Sequence, residues 1–187
     1  MKTVNKGFTM IEMVIIIVLI GIIGSIAADM LFQGADIYVS ETNRQSFISE
    51  SRSAFWKLMR HTQGQSSPAD FILSDQNSLY LKNGKNEQFD FQTESPSDFT
   101  LRLGIDNQNY RSLSNSLSYS ESPGFTYLNN TFNTVTPSQG SLSLSEAETV
   151  HLIKLELTFL KNEDKLSLSS HVYPHNFRFG KKMSYHN

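Results

Sequence analysis

The sequence predicts an α+β protein: one long N-terminal helix, lipid-embedded in its first half, packed on an antiparallel β-sheet of roughly four to seven strands. Three observations carry this. An uninterrupted apolar run opens the chain at Phe8–Ala28. Helical spacing then continues without a proline as far as Thr62. Beyond a glycine-, serine- and proline-rich break at Gly64–Pro68, the apolar period falls to two.

Residues Met1 to Gly7 are a short polar leader with two lysines, Lys2 and Lys6. Phe8 to Ala28 follows, FTMIEMVIIIVLIGIIGSIAA, with Glu12 its single charge. At 1.5 Å per residue this run makes roughly 31 Å of helix, the thickness of a bilayer core. The preceding lysines place the N-terminus in the cytoplasm, so the remainder is expected across the membrane, in the periplasm of a two-membrane cell.

From Met30 to Thr62 there is one glycine, Gly34, and an apolar face of Leu31, Ile37, Phe47, Ile48, Phe55, Leu58 and Met59. Glu41, Arg44, Glu50, Arg52, Lys57 and Arg60 occupy the other side. One nearly continuous helix from Phe8 to Thr62 is expected, its second half packed on a domain. The chain therefore divides into a leader (1–7), a transmembrane half-helix (8–28), a periplasmic half-helix (29–63) and a β-rich domain (64–187).

Within that domain SLYLK (Ser78–Lys82), QFDFQ (Gln88–Gln92) and DFTLRLG (Asp98–Gly104) alternate apolar and polar residues. Turn clusters at Lys82–Lys85 and Ser95–Asp98 separate them. Leu113 to Ser145 is rich in Ser, Asn and Thr and reads as surface loop and irregular edge strand. The clearest hairpin is VHLIKLELTF (Val150–Phe159), a KNED turn, and KLSLSSHVY (Lys165–Tyr173).

Composition narrows the function. The net charge of −2 and the pI near 6.2 give no basic footprint for nucleic acid. With no cysteine there is no disulfide framework and no thiolate site. The mean hydropathy of −0.31 hides the concentration of apolar residues at the N-terminus.

The N-terminal pattern Lys6-Gly7-Phe8-Thr9-Met10-Ile11-Glu12, ahead of the apolar run, resembles the class III leader of type IV pilins and type II secretion pseudopilins. The resemblance implies cleavage between Gly7 and Phe8 by a prepilin peptidase and N-methylation of Phe8. It implies a pilin-like fold, a filament of like subunits, an inner-membrane assembly platform with a cytoplasmic motor, and no cofactor or catalytic residue. Glu12 becomes the fifth residue of the mature chain. A carboxylate near hydrocarbon is expensive. In a filament the amine of a neighbour's Phe8 can pair with it in a register-sensitive way, so Glu12 is expected to set the stagger between subunits. A glycine at position 7 leaves the scissile carbonyl unshielded.

Two bland readings compete. One is a plain anchor with Glu12 snorkelling to the interface. The other is a secretory signal cut after Ser25-Ile26-Ala27, which Glu12 and the length of the run oppose. An alternative of a different class is a membrane-anchored periplasmic domain that binds a ligand or DNA without joining a filament. Arg52–Gln63 and Val172-Tyr173-Pro174-His175-Asn176 resemble the helix end and closing strand of minor pilins of the prepilin W type and of J-type minor pseudopilins. The missing cysteines and the late first proline, Pro68, favour a minor component. Whether the filament is a pilus, of twitching or mannose-sensitive haemagglutinin type, or a secretion pseudopilus is left open.

No other constellation carries chemistry. His171 and His175 fall on a strand and its exit, and His61 and His151 lack nearby acidic or cysteine partners, so no metal site is expected. Asp106, Asn107 and Asn109 read as a turn, not a calcium loop. Phe55 and Trp56 are expected in the core against the sheet.

Overall fold

The computed structural model describes residues 7–93, 100–105, 108–118 and 120–177. The apolar run and the segment after it form one helix, α1 (Met10–Gln63), of 54 residues, about 81 Å by rise. It is followed by a 3-10 turn (Pro68–Phe71) and by β1 (Ser78–Lys82), β2 (Gln88–Thr93), β3 (Leu101–Ile105) and β4 (Gln108–Ser114). Then come β5 (Gly124–Leu128), β6 (Thr134–Val135), the short helix α2 (Leu144–Ala147), β7 (Leu152–Lys161) and β8 (Asp164–Val172). The chain is α+β, a long N-terminal helix followed by antiparallel sheets, consistent with a pilin-like fold. It falls into two units, one ending at Gln45 and one beginning at Ser46.

The first unit is helical from Met10 on, with every described residue exposed except the partly covered Ala28. An 18-residue window has a mean hydropathy of 2.7, so α1 is long and apolar enough to cross a membrane.

The second unit holds the core. Phe47, Ala54, Phe55 and Leu58 on α1 are buried together with Leu79, Phe91, Leu101, Ile153, Leu155 and Phe159 from the strands. The packed face therefore starts at Phe47 and not at Leu31, which is 75% exposed, as is Ile37 at 69%. Phe55 is core, but its neighbour Trp56 is 64% exposed. Consecutive helical positions lie 100° apart, so only one of the two can face the sheet squarely.

Instead of one sheet there are two, each antiparallel and four-stranded, ordered β1-β2-β3-β4 and β6-β5-β7-β8. The strands predicted at 78–82 and 88–92 are β1 and β2. The third begins at Leu101, with Asp98 and Phe99 outside the described residues. The Leu113–Ser145 stretch is mostly loop, with the end of β4, the short edge strand β6 and the start of α2 in it; the departure from expectation is β5. β5 is an interior strand, paired with both β6 and β7. Its alternation, Phe125 and Tyr127 buried either side of Thr126, was masked by the surrounding Ser, Asn and Gly. Segment 115–118 leaves the first sheet for the second, where Leu117 bridges Phe159. That exchange accounts for the second sheet.

The seam between sheets rests on the loop at Leu73–Asn77. Leu73 N–H donates to Leu142 O at 2.9 Å, Leu142 N–H to Ser74 O at 2.8 Å, and Phe125 N–H to Gln76 O at 2.9 Å. The Tyr127 hydroxyl donates to Asp75 O at 2.8 Å. The end of α1 is held by the segment after β8. His175 N–H donates to Gln63 O at 3.0 Å, and Asn176 Nδ2 to Gln65 O at 3.1 Å. Phe177, fully buried, sets its ring edge-on to Phe71 at 5.7 Å. The Val172–Asn176 pattern is thus a strand end and a turn whose donors satisfy carbonyls that a helix terminus leaves open.

Candidate functional site

Gly7, Phe8 and Glu12 lie within seven residues of each other at the start of α1. Gly7 to Thr9 precede the helix, and its first turn carries Glu12. A Cβ placed on Gly7 meets nothing within 4 Å, so there is open space where a side chain at this position would begin. Phe8 is 74% exposed. Lys2 and Lys6 lie outside the described residues.

The helix begins here because Thr9 caps it. Thr9 N–H and Thr9 Oγ1 both donate to Glu12 Oε2, at 2.7 and 2.8 Å, and Glu12 N–H approaches Thr9 Oγ1 at 3.4 Å. Met13 N–H donates to Thr9 O at 3.3 Å. This reciprocal arrangement is a capping box, with the threonine at the cap and the glutamate three residues on. The sequence carries the signal for it, Thr9-x-x-Glu12. The carboxylate is therefore not bare, because one of its oxygens takes two donors from its own chain. It also sits at the end of the helix where the backbone dipole favours negative charge. A positive amine created at Phe8 would lie one residue before the cap, on the same end.

The other candidates disperse. His61 lies on α1 against the rings of Phe89 at 4.3 Å and Phe91 at 5.5 Å. Burial, with Lys57 and Arg60 nearby, pushes its pKa down. His151 packs edge-on to Tyr173 at 5.0 Å. His171 sits on β8, and His175 in the turn that holds the end of α1. Among the described residues no three His, Asp or Glu side chains gather as a metal site would require. Asp106 and Asn107 lie outside the described residues.

One polar cluster has no counterpart in the sequence reading. Asp90, on the face of β2 away from Phe91, is fully buried. Its Oδ2 accepts from Gln92 Nε2 at 3.0 Å and from the Tyr110 hydroxyl. Its Oδ1 has no partner among the described residues. Burial pushes the Asp90 carboxyl up, and the hydrogen bond to that carboxyl pushes Tyr110 up to about 12. Tyr110 reaches Asp90 across Gly104, the residue paired with Asp90, where a Cβ would stand 2.7 Å from the tyrosine ring. A lone aspartate in an alternating strand reads as an exposed polar position, and only the tertiary fold shows it covered.

The fold is consistent with a pilin-like protein, and Gly7, Phe8 and Glu12 lie together at the start of its long apolar helix. A family model described as the prokaryotic N-terminal methylation motif matches residues 2–28. The match covers the leader and the apolar run and supports a type IV pilin-like protein processed by prepilin peptidase and anchored in a membrane. No curated protein and no solved structure matches the chain.

Proposed function

We propose that the chain is a minor pilin or pseudopilin. A prepilin peptidase cuts it between Gly7 and Phe8 and methylates Phe8. Residues 8–28 hold it in the bacterial inner membrane, N-terminus in the cytoplasm and residues 64–187 in the periplasm. An inner-membrane platform then draws it, with sibling pilins, into a type IV pilus or a type II secretion pseudopilus. Its role is structural, with no cofactor and no catalytic residue.

The observation that carries this reading is the methylation motif at residues 2–28, continuous with an exposed apolar helix that runs on into an α+β domain. The helix offers more apolar surface than a bilayer can cover. Leu31, Ala35, Tyr38 and Val39, at i, i+4, i+7 and i+8, form a stripe beyond the apolar run, and all four are exposed. Like helices in a filament would bury that stripe along with Phe8–Ala28. Glu12 would exchange part of its Thr9 cap for the methylated amine of a neighbour, a pairing that tolerates only one stagger.

Replacing Glu12 with alanine tests assembly apart from anchoring. The variant is expected to reach the membrane at normal levels but to vanish from sheared filaments, as read by immunoblot of both fractions. Undiminished incorporation of the variant would remove Glu12 from assembly, and absence of the unmutated chain from sheared filaments would instead support a simple anchor with a periplasmic binding domain.

A further inference from the structure

The two sheets have four edges; that of β1 is covered, that of β4 belongs to an irregular strand and that of β6 is short. The connection before β1 covers its outer edge. Ser66 N–H donates to Lys82 O at 2.7 Å and Gln65 Oε1 accepts from Lys82 N–H at 2.6 Å. Ser74 Oγ accepts from Tyr80 N–H at 2.9 Å, and Asp75 Oδ1 from Ser78 N–H at 2.7 Å. β4 is broken by two register shifts against β3, and β6 has only two residues. Short, bulged or covered edges are the usual protection against unwanted pairing.

Among the described residues β8 has none of these protections. It is nine residues long and pairs with β7 in unbroken register from Val172 to Asp164. It contains no proline or glycine and no charged residue between Lys165 and His171. Among the described residues no strand lies on its outer side.

Hairpin geometry identifies the outward groups. Asn162 and Glu163 make a two-residue turn, so Lys161 and Asp164 close it as a hydrogen-bonded pair and every second pair after them does the same. β7 agrees: Thr158 O accepts from Ser118 N–H at 2.7 Å and Leu160 N–H donates to Ser116 O at 2.6 Å, so its even-numbered backbone groups point away from β8. On β8 the backbone of Lys165, Ser167, Ser169 and His171 therefore faces outward.

We propose that this edge is a docking site for an extended strand of another polypeptide, added antiparallel along Lys165–His171. The side chains of the edge define the partner. Leu166 and Leu168 are only half-buried, as are Ile48 and Met59 of α1, and Ser170 Oγ lies 3.6 Å from Met59 Sδ on that same face. An incoming strand with apolar residues at alternate positions would complete this rim. Its intervening residues would be polar, lying beside the exposed Ser167 and Ser169.

A second copy of the chain fits less well. Antiparallel pairing of β8 with itself places a two-fold axis normal to the sheet, which reverses the direction of α1 from Ser46 to Gln63. Two chains anchored in one membrane need helices pointing the same way. That step rests on the membrane reading; the open edge does not.

The test uses the full chain in lipid nanodiscs and, as probe, a synthetic peptide of residues 152–161, the alternating strand that β8 already accepts on its other side. Amide exchange read by mass spectrometry should show Ser167, Ser169 and His171 fast in the chain alone and slowed by the peptide. Ser169→Pro removes an outward N–H and leaves the β7 ladder intact, as edge prolines do. It should weaken the peptide effect about tenfold or more, while Ser169→Ala keeps the effect and both variants keep the wild-type circular dichroism. The proposal is overturned if the peptide slows no amide up to its solubility limit, or if Ser169→Pro responds like wild type. It is equally overturned if the outward amides are already slow and Ser167→Cys, the chain's sole cysteine, forms a disulfide-linked dimer.

Discussion

At the scale of single residues, the best-defined electrostatic pair in the domain is Asp90 with Tyr110. A tyrosine whose folded pKa is raised above its unfolded value contributes stability in full below its ordinary pKa, and loses it as pH rises through the folded value. For Tyr110 that window runs from the ordinary tyrosine value of 10.0 to about 12. Thermal melts across this range should show an alkaline loss of stability that shrinks in Tyr110→Phe. Asp90 has the opposite relation to acid. Its folded carboxyl is raised by burial, so the protonated form is favoured in the fold and acid does not destabilise through this residue. Gly124 is constrained differently, with φ at +80° and the position of a Cβ only 2.2 Å from Gln76 O. Gly124→Ala should cost about 1–3 kcal/mol from the backbone angle alone, and more from the clash. Chemical denaturation of the full chain in detergent measures it.

At the scale of elements, α1 was legible almost to the residue, because a proline-free run in helical spacing ended at a strong break. Its packed face was not. The apolar spacing extends from Leu31, but burial begins only at Phe47, since periodicity records an apolar stripe without recording what covers it. β1, β2, β7 and β8 were legible for the same local reason, a clean period of two. β5 was missed because its short alternation of Phe125 and Tyr127 sits in a stretch rich in Ser, Asn and Thr, and its interior place depends on partners far along the chain. The Asp90 cluster was invisible for a related reason: what covers Asp90 is a side chain from a strand two places away. The core claim at this scale is that α1 from Phe47 onward belongs to the domain. Leu58, fully buried, should cost about 2–5 kcal/mol when cut to alanine, measured as a fall in the unfolding midpoint. A mutation of the exposed Leu31 should leave that midpoint in place.

At the scale of the whole molecule, the chain carries a methylation motif at residues 2–28, a long helix with an exposed apolar first half, and two antiparallel sheets. The Thr9–Glu12 capping box offers a way to store a carboxylate beside the membrane without leaving it bare. In the proposed filament, the amine freed at Phe8 would offer it a stronger partner. The cap forms in the uncleaved chain, but the proposed pairing with an amine requires cleavage between Gly7 and Phe8. The measurement that tests it most directly is the N-terminal mass of the mature protein extracted from its own membrane. A chain that begins at Phe8 and carries one additional methyl group is the result predicted here. An intact Met1, or an unmodified start at Ala28, would contradict it.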